Sequence, residues 1–397
     1  MLNIRKDFKF LNEKDIVYLD SSSTSLKPNF VINEVNNYYE NYPLNYGRGN
    51  SKYTLKINKK INETREIVKE FINANSIDEI IFTSGATESS NLLAYAYGLL
   101  NLKDDDQILL CTEDHKSTVY PWINIQNILT KLSINIKIEN ILMDTEGDYK
   151  EEDLLDKVNE KTKVVVLTHI HNIYGLEMDI NKIVSLIKKK NKECKIVLDA
   201  SQSIGHMKVD VQELDVDFMY FSGHKMFALQ GSGVLYVKCE NYIYLNPFIV
   251  GGGNSNLKNS VINYKNFESG TPNIPSIISL GSAIKYINSI GIDIIENQIY
   301  MLTRYLYEEL LKINKVEFNK GIDKCKCALG YGIVSFKIRD ISTSDVSEIM
   351  DDYNIVIREG NFCNASNDEN YIRVSLHAYN NKADIDKLIN VIKYIIK

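Results

Sequence analysis

Short, wholly apolar runs alternate with helically spaced ones through the middle of the chain. Glu79-Ile80-Ile81-Phe82, Gln107-Ile108-Leu109-Leu110, Lys163-Val164-Val165-Val166-Leu167, Lys195-Ile196-Val197-Leu198, Phe218-Met219-Tyr220-Phe221 and Gly233-Val234-Leu235-Tyr236-Val237 read as strands. Their apolar positions are continuous and do not alternate with polar ones, so both faces are covered, as in a mostly parallel sheet between layers of helices. Leu92, Leu93, Ala96, Leu99 and Leu100 recur at helical spacing between the first two runs. Further on, Gly251-Gly252-Gly253 and Gly270-Thr271-Pro272 punctuate a loop-rich stretch, and helical patterns follow over 277–290 and 294–313. The pattern predicts an α/β fold whose ligands sit at the carboxyl ends of the strands.

Two of the runs end in groups that carry chemistry. Lys195 to Leu198 gives way to Asp199-Ala200-Ser201-Gln202, and Phe218 to Phe221 gives way to Ser222-Gly223-His224-Lys225. Pyridoxal phosphate chemistry needs an amine to form a Schiff base with the aldehyde. It also needs a carboxylate that keeps the pyridine nitrogen protonated, so that the ring accepts electrons. Lys225 by itself reads as a surface lysine after a strand, and Asp199 together with the other motifs overturns that reading. Thr83-Ser84-Gly85-Ala86-Thr87-Glu88 lies between a strand and a helix. Such a helix start suits a phosphate, or is an ordinary N-cap made by Thr87 or Ser84. Arg373, in Tyr371-Ile372-Arg373-Val374-Ser375-Leu376, offers a planar guanidinium for a carboxylate, or a structural ion pair.

Composition narrows the partners. With 397 residues the chain exceeds what one core holds, which predicts two domains. A formal charge of -6 with both signs interspersed argues against nucleic acid as a partner. No apolar stretch approaches the roughly 18 residues of a spanning helix, and Arg5, Lys6 and Lys9 precede no signal-peptide core, so no membrane partner and a cytoplasmic location are expected. The six cysteines, Cys111, Cys194, Cys239, Cys325, Cys327 and Cys363, are scattered and fit a reducing compartment. Cys325-Lys326-Cys327 has no second pair or nearby histidine to complete a site, His169-Ile170-His171 can be read as a metal pair on spacing alone, and no metal is expected.

The Asp199 and Lys225 segments resemble the two cofactor signatures of the class V aminotransferase family, within the fold type I pyridoxal phosphate enzymes. In that family the chain is most similar to the cysteine desulfurases, the SUF-type group above all. Matching motifs run from Tyr18-Leu19-Asp20-Ser21 to Arg373-Val374-Ser375-Leu376. The resemblance implies a large cofactor-binding domain over 15–288, with a mostly parallel sheet between helices, and a smaller α+β domain from 1–14 and 289–397. It implies pyridoxal 5'-phosphate on Lys225. Ala86, Thr87, Ser222 and His224 then hold the phosphate, Asn172 and Gln202 the phenolic oxygen and Asp199 the ring nitrogen, with His115 stacked on the ring. Arg373, Asn172 and Arg358 fall to the substrate. Thr271 matches a residue that reaches the partner subunit's phosphate, which implies a homodimer.

Cys363, in Arg358-Glu359-Gly360-Asn361-Phe362-Cys363, matches the sulfur-accepting cysteine. The implied reaction takes L-cysteine to L-alanine, leaves a persulfide on Cys363 for an acceptor protein, and serves iron–sulfur cluster assembly. Its catalytic residues are Lys225, Cys363 and His115. A selenocysteine lyase, aminotransferase or epimerase of the same family is the alternative, and a non-enzymatic scaffold has no need of Asp199 and Lys225. Three departures stand out. Asn361 and Phe362 replace the two histidines of the commoner Gly-His-His-Cys form. The stretch from Cys363 to Arg373 is short for the SUF-type group. Phe227-Ala228-Leu229-Gln230 replaces a segment that usually holds glycine and proline. The polar neighbours Asn364, Ser366, Asn367 and Asp368 predict an exposed loop around Cys363, and the role of His171, where a small residue is usual, is left open.

Overall fold

The computed structural model of the protein describes residues 2–252, 262–318, 331–365 and 369–397. Gly253, Cys325, Cys327, Ser366, Asn367 and Asp368 lie outside the described residues. After a two-residue strand β1 (Val17–Tyr18), the chain forms β2 (Ile80–Thr83), β3 (Gln107–Leu110), β4 (Lys137–Asn140), β5 (Thr162–Thr168), β6 (Lys195–Asp199), β7 (Phe218–Ser222) and β8 (Gly233–Val237). These last seven make one sheet in the order β2-β8-β7-β6-β5-β3-β4. Neighbours from β7 to β4 run parallel, and β8 is antiparallel to both β2 and β7. The expected strands are all present. β4 escaped the apolar pattern because it is a half-polar edge strand, Lys-Ile-Glu-Asn, with no buried residue.

The period of two along each strand sends alternate residues into two separate cores. Ile196 and Leu198 of β6 and Leu109 of β3 join one cluster, and Val197, Ile108 and Leu110 join the other. Helices α1 (Lys9–Glu13), α2 (Asn29–Asn41), α3 (Lys52–Phe71), α4 (Ala86–Asn101), α5 (Lys116–Lys131), α6 (Glu151–Lys157) and α7 (Ile180–Lys190) are threaded between the strands. Leu93 of α4 and the fully buried Trp122 of α5 fill one side, and Ile57 of α3 and Ile183 of α7 the other. Burying one such side chain contributes about 1.5–3 kcal/mol over leaving it exposed. The stripe on α4 differs from the expected one: Leu92, Leu93, Ala96 and Tyr97 are buried, whereas Leu99 and Leu100 are exposed.

The long helices α8 (Ile274–Ile290) and α9 (Ile292–Leu311) lead into β9 (Val316–Phe318), β10 (Ile333–Ile338), α10 (Thr343–Asp352), β11 (Ile355–Val356), β12 (Arg358–Gly360), β13 (Tyr371–Ser375) and α11 (Lys382–Ile395). A second, antiparallel sheet has the order β12-β13-β10-β9. β1 pairs in parallel with β11, and Asp20 bridges to Ser375. The segment after β1 is therefore fastened to the second sheet, which brings Asp20 to Lys27 between the two sheets. Among the described residues no single helix is long and apolar enough to cross a membrane.

Candidate active site

A cavity of about 290 Å³ opens at the carboxyl ends of the parallel strands, between the two sheets. Its floor is the sheet itself. Asp199 is the last residue of β6, and its Oδ2 accepts from Thr118 Oγ1 at 2.7 Å while Oδ1 accepts from the Ser201 N–H at 2.9 Å. Lys225 ends a single helical turn that follows β7. Burial pushes its amine down to about 8, with the Arg373 charge adding to the shift and Asp199, Cys363 and Asp20 opposing it. The turn is clamped by a segment that pattern reading passed over. The His224 carbonyl accepts from Ser25 N at 2.9 Å, Thr24 Oγ1 at 3.1 Å, Ser25 Oγ at 3.1 Å and Lys27 Nζ at 3.0 Å. Lys27 is itself pushed down to about 7 by burial. Only its place before Pro28 could have drawn notice, and it lies about 200 residues from its partner.

At one end of the cavity is the start of α4. Gly85 occupies the N-cap and gives no side-chain cap, so neither Ser84 nor Thr87 caps the helix. Ala86 N donates to Ser222 Oγ at 2.8 Å, and the exposed Thr87 lines the cavity beside them. Gly233 at the head of β8 makes this possible, since a Cβ there lies 2.4 Å from Gly85 Cα. Such a helix start presents backbone N–H groups and the positive end of a dipole.

His115 caps α5. Its Nδ1 accepts from the Ser117 N–H at 3.1 Å and faces Ser117 Oγ at 2.6 Å, an arrangement that puts the proton on Nε2. Burial first, then the Lys225 charge, lowers its pKa to about 4, so the ring is neutral at ordinary pH. Asn172 lies on the loop after β5, and its Nδ2 donates to the Phe362 carbonyl at 3.0 Å. That loop packs on the second sheet. Ser335 Oγ donates to the Ile173 carbonyl at 2.7 Å, and Gly175, with φ of +68°, leaves no room for a Cβ, which would lie 2.3 Å from the Ile333 carbonyl oxygen. His171 is fully buried within the loop. Its Nε2 faces the Glu113 carbonyl at 3.0 Å and its ring stacks on Tyr174 at 4.1 Å, so it joins the Asn172 loop to the turn before His115.

The second sheet supplies the opposite wall. Arg358 and Arg373 are direct cross-strand neighbours, a like-charged pair that is unfavourable without compensation. Asp20 lies between them, accepting from Arg358 Nε at 3.1 Å and standing 3.5 Å from Arg373 Nη2. Arg373 also donates from Nη1 to the Asn172 carbonyl at 3.1 Å and from Nη2 to Ser23 Oγ at 2.8 Å. Burial presses its pKa down to about 10. Asp20 belongs to the Tyr18-Leu19-Asp20-Ser21 motif and Ser23 lies two residues beyond it, yet nothing in the spacing places them against Arg373.

Cys363 is exposed and lines the same cavity. The segment around it is more firmly held than its polar sequence suggests. Its carbonyl accepts from Lys116 N at 2.8 Å, Asn364 bridges to His115, and Asn364 is buried rather than solvated. Phe362 and Cys363 both have positive φ, 52° and 59°.

Thus Ala86, Thr87, His115, Asn172, Asp199, Gln202, Ser222, His224, Lys225, Arg358, Cys363 and Arg373 all line one cavity. Thr271 does not; it is exposed, on the loop before α8. Among the described residues no cluster of three metal-ligating side chains occurs. The donor set suits pyridoxal phosphate instead: a buried amine, a buried carboxylate, a flat neutral ring and a helix start. Asn172 Oδ1, Ser201 Oγ, Gln202 Oε1 and His224 Nδ1 are buried around the cavity with no partner among the described residues. Native structures seldom leave such atoms unsatisfied, so they mark where a polar ligand fits.

Residues 17–388 match the model of the family described as aminotransferase class-V. A probable cysteine desulfurase of Borreliella burgdorferi is 35% identical over 99% of this chain and 96% of its own length. One of Staphylococcus aureus is 35% identical over 98% and 95%. Among solved structures, the apo form of a cysteine desulfurase from Thermococcus onnurineus is 31% identical, with a TM-score of 0.91 over 99% of this chain and 97% of that one.

Proposed function

Because this chain belongs to the class V aminotransferase family, we propose that it is a pyridoxal-phosphate-dependent cysteine desulfurase that converts L-cysteine to L-alanine and takes the sulfur onto Cys363 as a persulfide. The observation that carries this reading is the convergence on one cavity of Lys225, Asp199, Arg373 and an exposed cysteine. In this reading Lys225 holds the cofactor, Ala86, Thr87, Ser222 and His224 its phosphate, Asp199 its ring nitrogen, Asn172 and Gln202 its phenolic oxygen, and His115 covers its ring. Bound there, pyridoxal phosphate supplies an aldehyde that links to amines and a ring that withdraws electrons from the attached carbon.

The remaining work belongs to the chain. Arg373 grips the substrate carboxylate, since two guanidiniums, Arg358 and Arg373, face the single carboxylate of Asp20 and leave one positive charge in surplus. Lys225, whose pKa of about 8 leaves a useful fraction of free amine, takes the proton from the substrate Cα. Cys363 as thiolate attacks the substrate sulfur. The carbon–sulfur bond breaks, the sulfur stays on Cys363, the β-carbon keeps the electron pair and takes a proton, and Lys225 returns its proton to Cα to give alanine. His115 remains neutral and flat throughout, which its lowered pKa supports.

The reading extends to a homodimer in which Thr271 reaches the partner's phosphate. Its support is that Thr271 is exposed and lines no part of its own chain's cavity, with the exposed apolar run Phe248, Ile249 and Val250 on a loop of the same chain. We place the persulfide's onward transfer with an acceptor protein of cytoplasmic iron–sulfur assembly. Incubation with L-cysteine and a thiol reductant, which frees the persulfide sulfur as sulfide, tests the core of the proposal, since alanine and sulfide should appear together and cease with Cys363→Ser. Undiminished products from that variant would remove Cys363 as the sulfur carrier, and a parent protein that yields neither product would turn the assignment to a selenocysteine lyase, aminotransferase or epimerase.

A further inference from the structure

Phe362 takes the place of a histidine in the Gly-His-His-Cys form that its segment resembles, and its surroundings suit an apolar ring. Its ring centroid lies 4.5 Å from Arg373 Cζ, and the ring is buried on the wall of the cavity. Its backbone is held at φ of 52°, a conformation that costs a non-glycine residue energy and persists only where neighbours enforce it. The enforcing contact is Asn172, which donates from Nδ2 to the Phe362 carbonyl and accepts from Arg373 Nη1 on its own carbonyl. Asn172, Phe362 and Arg373 therefore form one closed unit.

Within that unit the guanidinium has little freedom. One face is covered by the ring, Nη1 and Nη2 are engaged by Asn172 and Ser23, and Nε is buried without a partner among the described residues. A histidine in place of Phe362 offers a ring nitrogen as a polar partner nearby; phenylalanine offers none, and it keeps water from the covered face. A guanidinium so stripped of water binds an anion more strongly than a hydrated one does. Resting on the reading of Arg373 as the carboxylate grip, we propose that Phe362 is a specificity-determining residue, whose ring desolvates and orients Arg373 so that the site favours amines bearing an α-carboxylate over amines lacking one.

L-alanine and ethylamine differ only by that carboxylate, and neither carries sulfur. Dissociation constants for both, read from the absorbance change of the cofactor-loaded protein, should separate in Phe362→Leu, which keeps apolar volume but loses the aromatic face. L-alanine should bind about tenfold more weakly, with ethylamine unchanged within about twofold, and Phe362→Tyr should restore the original ratio. Equal weakening of both ligands assigns the ring to loop packing alone and overturns the proposal, as does no change in either. L-alanine binding that survives Arg373→Lys undiminished removes the grip on which the proposal rests. Failure of L-cysteine to yield sulfide would instead sink the desulfurase assignment and leave the alanine–ethylamine contrast standing.

Discussion

The two walls of the cavity are built in different ways. On the sheet side, Asp199 and Ser222 are the last residues of β6 and β7, and Lys225 follows three residues later. Each inherits its position from a strand buried on both faces. On the other side, Phe362 and Cys363 hold consecutive left-handed conformations on a loop fixed by hydrogen bonds to Lys116 and Asn172. Those partners are distant in sequence: Lys116 opens α5 and Asn172 lies on the loop after β5. The first wall is rigid by packing, and the second by a few long-range polar contacts. Damage to the sheet wall should therefore reach the cofactor, and damage to the loop wall should reach the substrate while sparing the cofactor.

Lys225→Ala tests the sheet wall at its most sensitive point. In the proposed reading, loss of the amine removes both the attachment and the base, and the rate should fall by roughly 10⁴-fold. Borohydride reduction followed by mass spectrometry of peptides should find the pyridoxyl group on Lys225 in the native protein and nowhere in the variant. Cys363→Ser is the matching test of the loop wall. A serine hydroxyl is almost wholly protonated at neutral pH, so sulfide release should drop on the order of 10³-fold. The visible spectrum of the bound cofactor should stay as in the parent. A variant that also loses its cofactor would erase the distinction between the walls.

The pH profile sharpens the contrast further. A base works in its unprotonated form, and burial has lowered Lys225 to about 8. Below that value the free-amine fraction falls about tenfold per pH unit, so the rate should rise with pH and level off above about 8. His115, lowered to about 4, should add no step between pH 6 and 9. A flat profile over that range would remove Lys225 as the base whose protonation limits the rate.

The difference between the walls also explains what the sequence made legible. Asp199 and Lys225 follow apolar runs that only a buried strand accounts for, so residue pattern and site coincide locally. Ala86 and Thr87 likewise open a helix directly after β2. The loop wall has no such local signal. Asp20 meets Arg358 across more than 300 residues, and the Thr24–Lys27 clamp on His224 is set by how β1 pairs with β11. The polar residues after Cys363 suggested a solvated loop, whereas Asn364 is buried because it bridges to His115. Contacts of that kind are fixed by tertiary arrangement and leave no periodicity to read. Arg373 lay between these cases. Its motif was legible, but its companions Asp20, Ser23 and Phe362 were not, and they decide how it presents its guanidinium. Arg373→Lys keeps the charge and loses the planar fork. It should raise KM for L-cysteine about tenfold with a smaller change in kcat, measured by initial rates of sulfide release.

The smallest expected effect comes from a residue outside both walls. Thr271 is exposed on the loop before α8 and lines none of its own chain's cavity. If the active unit is a dimer, its hydroxyl contributes one hydrogen bond to the phosphate in the neighbouring site. One such bond is worth about 0.5–1.5 kcal/mol net, so Thr271→Ala should weaken cofactor retention roughly two- to tenfold without lowering the melting temperature of the cofactor-free protein. A mixed dimer assigns the effect to a subunit. When one subunit carries Lys225→Ala, only the other holds cofactor covalently, and Thr271→Ala should weaken that site when placed on the Lys225→Ala subunit and leave it intact when placed on its own chain. Weakening in the second arrangement would make Thr271 a local contact, and an active species that sediments as a monomer would remove the shared site altogether.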